Sequence, residues 1–117
     1  MMKPLRGEIW WLAFSPQVGA EIQKDRPAVV MTASGIGRLP LAIVVPITNW
    51  KPHYQHWPWF VHLAPTRMNG LEKESGADAF QVKSLSEERF RRKIGRLTPA
   101  QLDDIAAAVA LSVGYAP

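Results

Sequence analysis

The sequence predicts a mainly β fold: a compact, mostly antiparallel β-barrel of roughly five to seven strands, closed by one C-terminal α-helix. Short runs of β-branched and aromatic residues, separated by residues that favour turns, recur along most of the chain. A helical period appears only near the C-terminus. The chain has 117 residues, the usual size of one domain, so we expect residues 1–117 to form a single domain.

The first predicted strand is a short aromatic run, residues 9–14, which lies between Gly7 and Ser15. Residues 16–25 then form a polar stretch that is long enough to act as a lid over a site. We therefore expect one strand followed by one exposed loop.

The next two strands are predicted to pair as an antiparallel hairpin. Residues 28–32 and 41–48 are β-branched runs, and the segment between them is rich in glycine and proline. If the turn is centred on Gly37, the numbers of facing residues sum to about 74, and Arg26 lies opposite Thr48 at the open end. A slip of one residue would turn one of these side chains to the other face of the sheet.

Two further strands and a short helix are predicted after the hairpin. Residues 57–63 form an apolar run whose Pro58 indicates an edge or bulged strand. Residues 78–83 alternate well enough to be a fifth strand. Residues 84–87 have the spacing of a capping box, so we expect a short additional helix to begin there.

The last element is predicted to be an α-helix with well-marked ends. Thr98 is a suitable N-cap, Pro99 and Gln101 suit the first and third positions, and Gly114 is a typical stop. Apolar residues recur within it at steps of three and four: Leu102, Ile105, Ala106, Val109, Ala110 and Val113. We expect this stripe to pack against the sheet.

Composition limits the classes of function that are open to the chain. Fourteen Lys and Arg against ten Asp and Glu give a net charge of +4, which favours a polyanionic partner such as nucleic acid. The absence of cysteine excludes disulfides, thiolate metal sites and cysteine nucleophiles. With no leader and no apolar stretch of roughly 18 residues, a cytoplasmic protein without membrane contact is expected.

Common catalytic motifs are absent from the sequence. There is no glycine-rich phosphate loop, no histidine pair at helical spacing and no nucleophile elbow, so we expect neither a cofactor nor a metal. His53 and His56 lie in a loop where they could contact RNA, and His62 reads as a hydrogen-bonded structural residue. Trp57 and Trp59 share a strand face, where base stacking, core packing and a dimer interface all remain open.

A series of motifs in one order then indicates a family. The motifs are Gly7-Glu8-Ile9-Trp10, Gly19-Ala20-Glu21, Arg26-Pro27-Ala28-Val29-Val30, Pro46-Ile47-Thr48 and Gln81-Val82-Lys83-Ser84, followed by the terminal helix. In this order and spacing the chain resembles the MazF/PemK toxins over nearly its whole length. Residues 49–62, rich in Trp and Pro, depart from that pattern, so the resemblance leaves the RNA sequence preference open.

The resemblance implies a toxin of a toxin–antitoxin system. Such a toxin is a sequence-selective, metal-independent endoribonuclease with an SH3-like barrel, which cleaves single-stranded RNA such as mRNA. It leaves a 2′,3′-cyclic phosphate and a 5′-hydroxyl, works as a homodimer and is silenced by a cognate antitoxin. The implied catalytic pair is Arg26 and Thr48, with Glu21 as the supporting acid and Gln81 and Lys83 as RNA contacts.

The chemistry of these residues agrees with the implied roles. Arg26 offers a planar fork of donors that suits two phosphate oxygens, and Thr48 adds a third donor. Because arginine stays protonated at neutral pH, Glu21 is the better candidate for the base, unless it only orients Arg26. His53 and His56 are the next candidates for the base.

Other polar and basic residues complete the predicted RNA surface. Lys24, Asn49, His53 and His56 flank the predicted site in its two loops. A basic cluster could track the RNA backbone, bind an acidic antitoxin tail or simply be solvated: Arg89, Arg91, Arg92, Lys93 and Arg96. The alternative functions are a non-catalytic toxin similar to the gyrase poison CcdB, and a plain nucleic-acid-binding barrel.

Overall fold

A computed structural model describes residues 3–14, 18–21 and 25–116 of the chain. Within these ranges the strands are β1 (Glu8–Leu12), β2 (Arg26–Val30), β3 (Leu41–Asn49), β4 (Phe60–Leu63), β5 (Ser75–Asp78), β6 (Lys83–Ser86) and β7 (Phe90–Arg96). The helix α1 spans Pro99–Ser112. Short 3-10 helices lie at Pro52–His56, Ala79–Gln81 and Glu87–Arg89.

All the strands join one antiparallel sheet in the order β4-β5-β3-β2-β1-β7. The long strand β3 bridges two parts of this sheet, because its first half pairs with β6 and its last residues pair with β5. Among the described strands β4, β6 and β7 each pair on one side only, so the sheet curls into a barrel-like shape without closing. The predicted fold class, a mainly β barrel with a C-terminal helix, is confirmed.

The register of the β2-β3 hairpin matches the prediction. Ala28 faces Pro46, Val29 faces Val45 and Val30 faces Val44, so each pair of residue numbers sums to 74. The turn contains Gly37 with a φ of +84°, a backbone conformation that glycine adopts without strain. The hairpin therefore brings Arg26 and Thr48 to the same end.

Two cores form on opposite faces of β1, β2 and β3. Alternate residues of these strands, including Ile9, Val29 and Ile47, pack with Leu63 and the helix residue Ile105. The residues between them pack on the other face around the indole of Trp10: Leu12, Phe14, Ala28, Val30, Ala42, Val44 and Phe90. Because both faces of these strands are covered, their sequences are nearly continuous runs of apolar residues.

The C-terminal helix has the predicted ends. Thr98 Oγ1 accepts from the Gln101 N–H, and the Gln101 side chain accepts from the Thr98 N–H, as a capping box requires. Gly114 follows the helix with a φ of +82°. Helix α1 packs against β4 and the 3-10 helix Ala79–Gln81. One position of the predicted stripe is wrong: Val113 is exposed, and Ala108 is buried instead.

The structure after β3 differs from the prediction in three places. The predicted strand over residues 78–83 is wrong, because the Asp78 side chain accepts from the Phe80 N–H and turns the chain into a 3-10 helix. The predicted helix start at Ser84 lies in β6, and Ser86 instead caps the short helix Glu87–Arg89. Strand β7 was not predicted at all. The predicted edge position of the fourth strand is confirmed, with Pro58 outside β4.

Candidate active site at the open end of the hairpin

Arg26 and Thr48 meet at the end of the hairpin. Arg26 Nη1 donates a hydrogen bond of 3.1 Å to Thr48 Oγ1, and both residues are partly buried. The contact follows from the hairpin register, since continuing the pairing from Ala28 and Pro46 places Arg26 opposite Thr48. The two side chains predicted to form the catalytic pair are thus in direct contact.

A pocket of about 380 Å³ opens beside this pair. Its lining comes from three parts of the chain: the ends of β2 and β3, the loop before β5, and strands β1 and β7. The lining residues are Trp11, Asp25, Arg26, Pro27, Ile47, Thr48, Asn49, Gly70, Leu71, Glu72, Lys73, Ser75, Arg92 and Ile94. Residues far apart in sequence therefore build one concave site.

The wall formed by Gly70 and Leu71 is fixed by Asn69, whose side chain is almost fully buried. Its Oδ1 accepts from the backbone N–H groups of Thr66 (3.0 Å) and Leu71 (2.9 Å), and its Nδ2 donates to the Ala64 carbonyl (2.9 Å). The backbone of Asn69 also packs against Gly95 of β7, where an added Cβ would lie 2.5 Å from the Asn69 carbonyl.

The charges around the pocket suit an anion. Arg26, Lys73 and Arg92 line it, against Asp25 and Glu72. Arg26 Nε is buried and has no hydrogen-bond partner among the described residues. A guanidinium whose Nη1 is held by Thr48 can direct its remaining donors to a phosphate oxygen.

Glu21 lies elsewhere in the described structure. Its carboxylate is exposed, accepts from the Val18 N–H (2.7 Å) and lies 4.0 Å from Lys83 Nζ. Glu21 is not among the described residues that line the pocket. Lys24, which was predicted to contact RNA, lies outside the described residues. The structure thus brings Glu21 to Lys83 rather than to Arg26.

Asp78 is a buried carboxylate that sequence reasoning missed. Its Oδ1 accepts from the Phe80 N–H at 3.2 Å, and its Oδ2 accepts from Gln81 Nε2 at 3.0 Å. Burial raises the pKa of this carboxyl, although the hydrogen bonds from Gln81 and Phe80 act against the rise. Asp78 thereby orients Gln81, one of the predicted RNA contacts. The available signal was an aspartate at the first position of a predicted strand, three residues before the amide of Gln81.

One face of the sheet connects Thr48, the contact of Arg26, to other polar side chains. Thr48 faces Gly76 across β3 and β5, and Gly76 faces His62 across β5 and β4. Facing residues project to the same side of a sheet. Phe60 and Asp78, which also face each other, form the neighbouring row of the same side.

Beyond Gly76 lies a group of six rings that we call the aromatic cluster: Trp50, Tyr54, Trp57, Trp59, Phe60 and Phe80. Tyr54 stacks on Phe60 with centroids 4.0 Å apart, and Trp57 stacks on Trp59 at 5.4 Å. Trp50 and Phe60 cover Gly76, where an added Cβ would lie 3.0 Å from an atom of each ring. Five of the six rings belong to residues 49–62, the segment that departs from the family pattern.

The histidines and Asn49 occupy different parts of this surface. His53 packs edge-on against Tyr54 and Trp57, His56 is exposed, and Asn49 lines the pocket. His62 Nε2 lies 2.8 Å from Glu74 Oε1 and its ring is 4.5 Å from that of Trp50. The histidines are thus on the side of the cluster rather than in the pocket.

The predicted basic cluster lies mainly on β7. Arg92 lines the pocket, with its guanidinium 5.8 Å from the centre of the Trp11 ring. Lys93 pairs with the buried Glu8 at 2.8 Å. Burial alone would raise the pKa of Glu8, but the hydrogen bonds from Lys93, Leu5 and Trp10 lower it below its ordinary value. The cluster is therefore divided between the site and a structural ion pair.

No group of three or more His, Cys, Asp or Glu among the described residues is arranged to hold a metal ion. No helix in the same part of the chain is long and apolar enough to cross a membrane.

Comparison with known proteins places the whole chain beside one family. Residues 5–113 match the model of the PemK-like, MazF-like toxins of type II toxin–antitoxin systems. The chain is 35% identical over 113 residues to endoribonuclease MazF9 of Mycobacterium tuberculosis, covering 91% of this chain and 92% of that protein. It is 31% identical over 113 residues to the endoribonuclease toxin MazF of Escherichia coli K12, covering 95% of each.

Solved structures share the fold. MazF from Deinococcus radiodurans superposes with a TM-score of 0.79 at 23% identity, covering 97% of this chain and 99% of that one. A mycobacterial endoribonuclease solved in complex with its cognate antitoxin superposes with a TM-score of 0.76 at 18% identity, covering 97% and 98%.

Proposed function

Because the chain belongs to the PemK-like, MazF-like toxins of type II toxin–antitoxin systems, we propose that it is a sequence-selective endoribonuclease that cleaves single-stranded RNA, including mRNA. The observation that carries the proposal is the contact of Arg26 with Thr48 at the mouth of a pocket of about 380 Å³. The relatives quoted above are named as endoribonucleases. Those names do not favour the gyrase-poisoning alternative.

The proposed reaction needs no metal. The ribose 2′-hydroxyl attacks the adjacent phosphorus, and the bond to the 5′-oxygen of the next nucleotide breaks, leaving a 2′,3′-cyclic phosphate and a 5′-hydroxyl. Negative charge grows on the non-bridging oxygens, and Arg26 neutralises it through donors other than the one bonded to Thr48. Arg26 also donates a proton to the departing 5′-oxygen.

Thr48 has two roles in this scheme, one toward Arg26 and one toward the phosphate. Its Oγ1 accepts from Arg26 Nη1, so its own proton is directed away from the guanidinium and toward the pocket. A hydroxyl in this position holds Arg26 in place and donates to a phosphate oxygen. The pair therefore forms the phosphate-holding half of the site.

Glu21 is the proposed base for the 2′-hydroxyl, or else the residue that orients Arg26. In the described structure its carboxylate is held by Val18 and Lys83, so this role requires residues 18–21 to move toward the pocket when RNA binds. His53 and His56 are the remaining candidates. Glu21→Gln separates the possibilities, since loss of a base removes the acidic limb of the pH–rate profile, whereas loss of an orienting contact lowers the rate at every pH.

The RNA is proposed to run from the pocket along the polar edge of the sheet. Asn49 lies at the pocket, Gln81 ends the 3-10 helix after β5, and Lys83 begins β6. His53 and His56 extend this edge, and Lys24, two residues before Arg26 in the sequence, is proposed to contact the RNA as well. A cognate antitoxin is a proposed protein partner, because the mycobacterial endoribonuclease was solved in complex with one. A second copy of the chain is the other proposed partner, and the cytoplasm is the proposed location.

The test is cleavage of a long unstructured RNA by purified protein in the presence of EDTA. Arg26→Ala should lower the rate by at least about 10²–10³-fold, because a donor to the developing charge is lost. Arg38→Ala, which removes an exposed arginine at the other end of the hairpin, is the matched control and should cleave normally.

Mapping the cut ends checks the chemistry and the sequence preference together. Fragments should accept a 5′-phosphate from polynucleotide kinase without prior dephosphorylation, because their 5′ ends are hydroxyls. Full activity of Arg26→Ala, or 5′-phosphate ends, would contradict the proposal. If RNA stays intact while gyrase is trapped on DNA, the alternative function is correct.

A further inference from the structure

We propose that Phe80, backed by Trp59 and Trp57, is a stacking platform for a base of the RNA that flanks the scissile phosphate. The inference rests on the proposed function and adds a specificity surface to the same site. It concerns three rings of the aromatic cluster, not the cluster as a whole.

The platform lies next to the catalytic pair. Gly76 faces Thr48, and Asp78 is the next residue of β5 on the same face, roughly 7 Å further along the strand. The 3-10 helix that carries Phe80 starts directly after Asp78. A strand of RNA whose phosphate is held by Arg26 can therefore reach Phe80 with a neighbouring nucleotide.

Phe80 is exposed but its turn is rigid. The residue is 69% exposed, while Asp78 holds its N–H and the side chain of Gln81, and the Val82 N–H bonds to the Ala79 carbonyl at 3.2 Å. Ordering an exposed phenyl ring before the ligand arrives lowers the entropy cost of stacking. An exposed ring on a fixed turn is thus suited to binding.

Trp59 extends the platform and is tied to the same turn. The Ala79 N–H donates to the Trp59 carbonyl at 3.0 Å, and the rings of Trp59 and Phe80 have centroids 6.3 Å apart. Trp59 stacks on Trp57, with only 22° between the ring planes, and Trp57 is 37% exposed. Successive flat faces of this kind suit successive bases of a single strand.

Charge favours RNA as the occupant. Residues 49–71 contain no Asp or Glu, but include Lys51, Arg67 and three histidines. The nearest carboxylates on the sheet face are engaged, because Asp78 accepts hydrogen bonds from its own turn and Glu74 pairs with His62. Trp57 and Trp59 thus lie in a basic stretch without carboxylates, and Phe80 packs against Trp59 from outside that stretch. Such a surface matches a polyanion with flat bases.

The experiment compares three variants of Phe80 on an oligonucleotide that contains one mapped cleavage site. Phe80→Ala and Phe80→Leu should lower kcat/KM about 5- to 100-fold, mainly through KM, since a base–ring stack is lost. Phe80→Tyr keeps the ring and should restore the wild-type value. Ile36→Ala, an equally exposed apolar residue in the hairpin turn, is the control and should be unchanged.

Abasic nucleotides then identify the base. Replacing one flanking nucleotide by an abasic ribose should weaken wild-type cleavage as much as Phe80→Ala does, and the two changes together should cost no more than either alone. Wild-type kcat/KM in Phe80→Ala and Trp59→Ala, or fully additive losses, would overturn the inference. So would a shift of Phe80→Ala to a smaller oligomer than the wild type, which would make Phe80 an interface residue.

Measurements of RNA binding distinguish a failure of this inference from a failure of the proposed function. Anisotropy of a labelled single-stranded RNA, measured in the Arg26→Ala background, should show the same order of Phe80 variants. If the wild type does not cleave RNA but binds it in a Phe80-dependent way, the proposed function fails and the platform stands. If affinity is the same for all Phe80 variants, the platform is wrong whatever the cleavage result.

Discussion

The pocket beside Arg26 and the aromatic cluster share one face of the sheet but are built in different ways. At the pocket, two strand residues meet because the hairpin register places them opposite each other. At the cluster, rings from a loop and a turn fold back over a glycine, Gly76, that leaves room for them. The geometry at the pocket thus comes from backbone pairing, whereas the cluster depends on the packing of side chains from a loop and a turn.

The largest expected difference between the two regions is in activity. Thr48→Val keeps the shape of the side chain but removes the hydroxyl that bonds Arg26, so cleavage should fall about 10²-fold or more. His62→Gln changes the same row of the sheet face two strands away and should leave cleavage within about twofold. The measurement is kcat/KM on one oligonucleotide, and equal losses in the two variants would remove the distinction.

The second difference is in how tightly the backbone is packed. Gly95→Ala would place a Cβ 2.5 Å from backbone atoms of Met68 and Asn69, so the free energy of unfolding should fall by about 3 kcal/mol. Gly76→Ala meets two rings at 3.0 Å, which can shift, so it should cost about 1 kcal/mol. Urea denaturation of both variants tests the order, and a larger loss at Gly76 would reverse the comparison.

Asn69 should contribute more to the free energy of unfolding than any polar residue near the aromatic cluster. Asn69→Ala leaves two backbone donors and one carbonyl without the partners that the buried Asn69 side chain supplies, at a cost of about 2 kcal/mol. Gln55→Ala removes an exposed amide of the segment before β4 and serves as the control. If thermal unfolding shows no loss in Asn69→Ala, the loop is not the rigid wall inferred for the pocket.

The smallest expected effect is a dependence on pH with opposite signs at two buried carboxyls. The pKa of Asp78 is raised by burial, so its contribution to stability is present below its unfolded value near 3.8 and is lost as pH rises through the folded value. The pKa of Glu8 is lowered by its hydrogen bonds despite burial. Its contribution is therefore present above its unfolded value near 4.5 and is lost as pH falls through the folded value.

Two substitutions measure these contributions. On acidification from pH 7 to 4, the wild type should gain stability relative to Asp78→Asn and lose stability relative to Glu8→Gln, each on the order of 1 kcal/mol. Denaturation series at several pH values give both slopes. Slopes of the same sign would contradict the assigned causes.

Several features were predicted correctly because their signals are local. The hairpin register follows from two β-branched runs and a glycine turn between them, and it placed Arg26 opposite Thr48. The ends of α1 follow from Thr98, Gln101 and Gly114, which act within one helical turn of the residues they cap. A pattern that is complete within one hairpin or one helix can be read without the rest of the chain.

Other features were missed because their causes lie far away in sequence. Strand β5 consists of four small or polar residues, Ser75–Asp78, and is a strand only because β3 and β4 flank it. Strand β7 carries charged residues on its exposed side and is recognised by its pairing with β1. The turn at Phe80 was predicted as a strand from the alternation of residues 78–83. In the structure the buried Asp78 accepts a hydrogen bond from the Phe80 N–H, which bends the chain into a 3-10 helix instead.

The sequence by itself determined the family, through the order and spacing of its motifs. It also determined the pairing of Arg26 with Thr48 and the boundaries of the terminal helix, because one hairpin and one helix contain the residues that specify them. Tertiary structure alone decided which distant segments complete the pocket, that Glu21 contacts Lys83, and that the rings from Trp50 to Phe80 gather over Gly76. These contacts join segments that are far apart in the sequence. The surroundings of each segment are therefore set by another segment, and only the folded chain brings the two together.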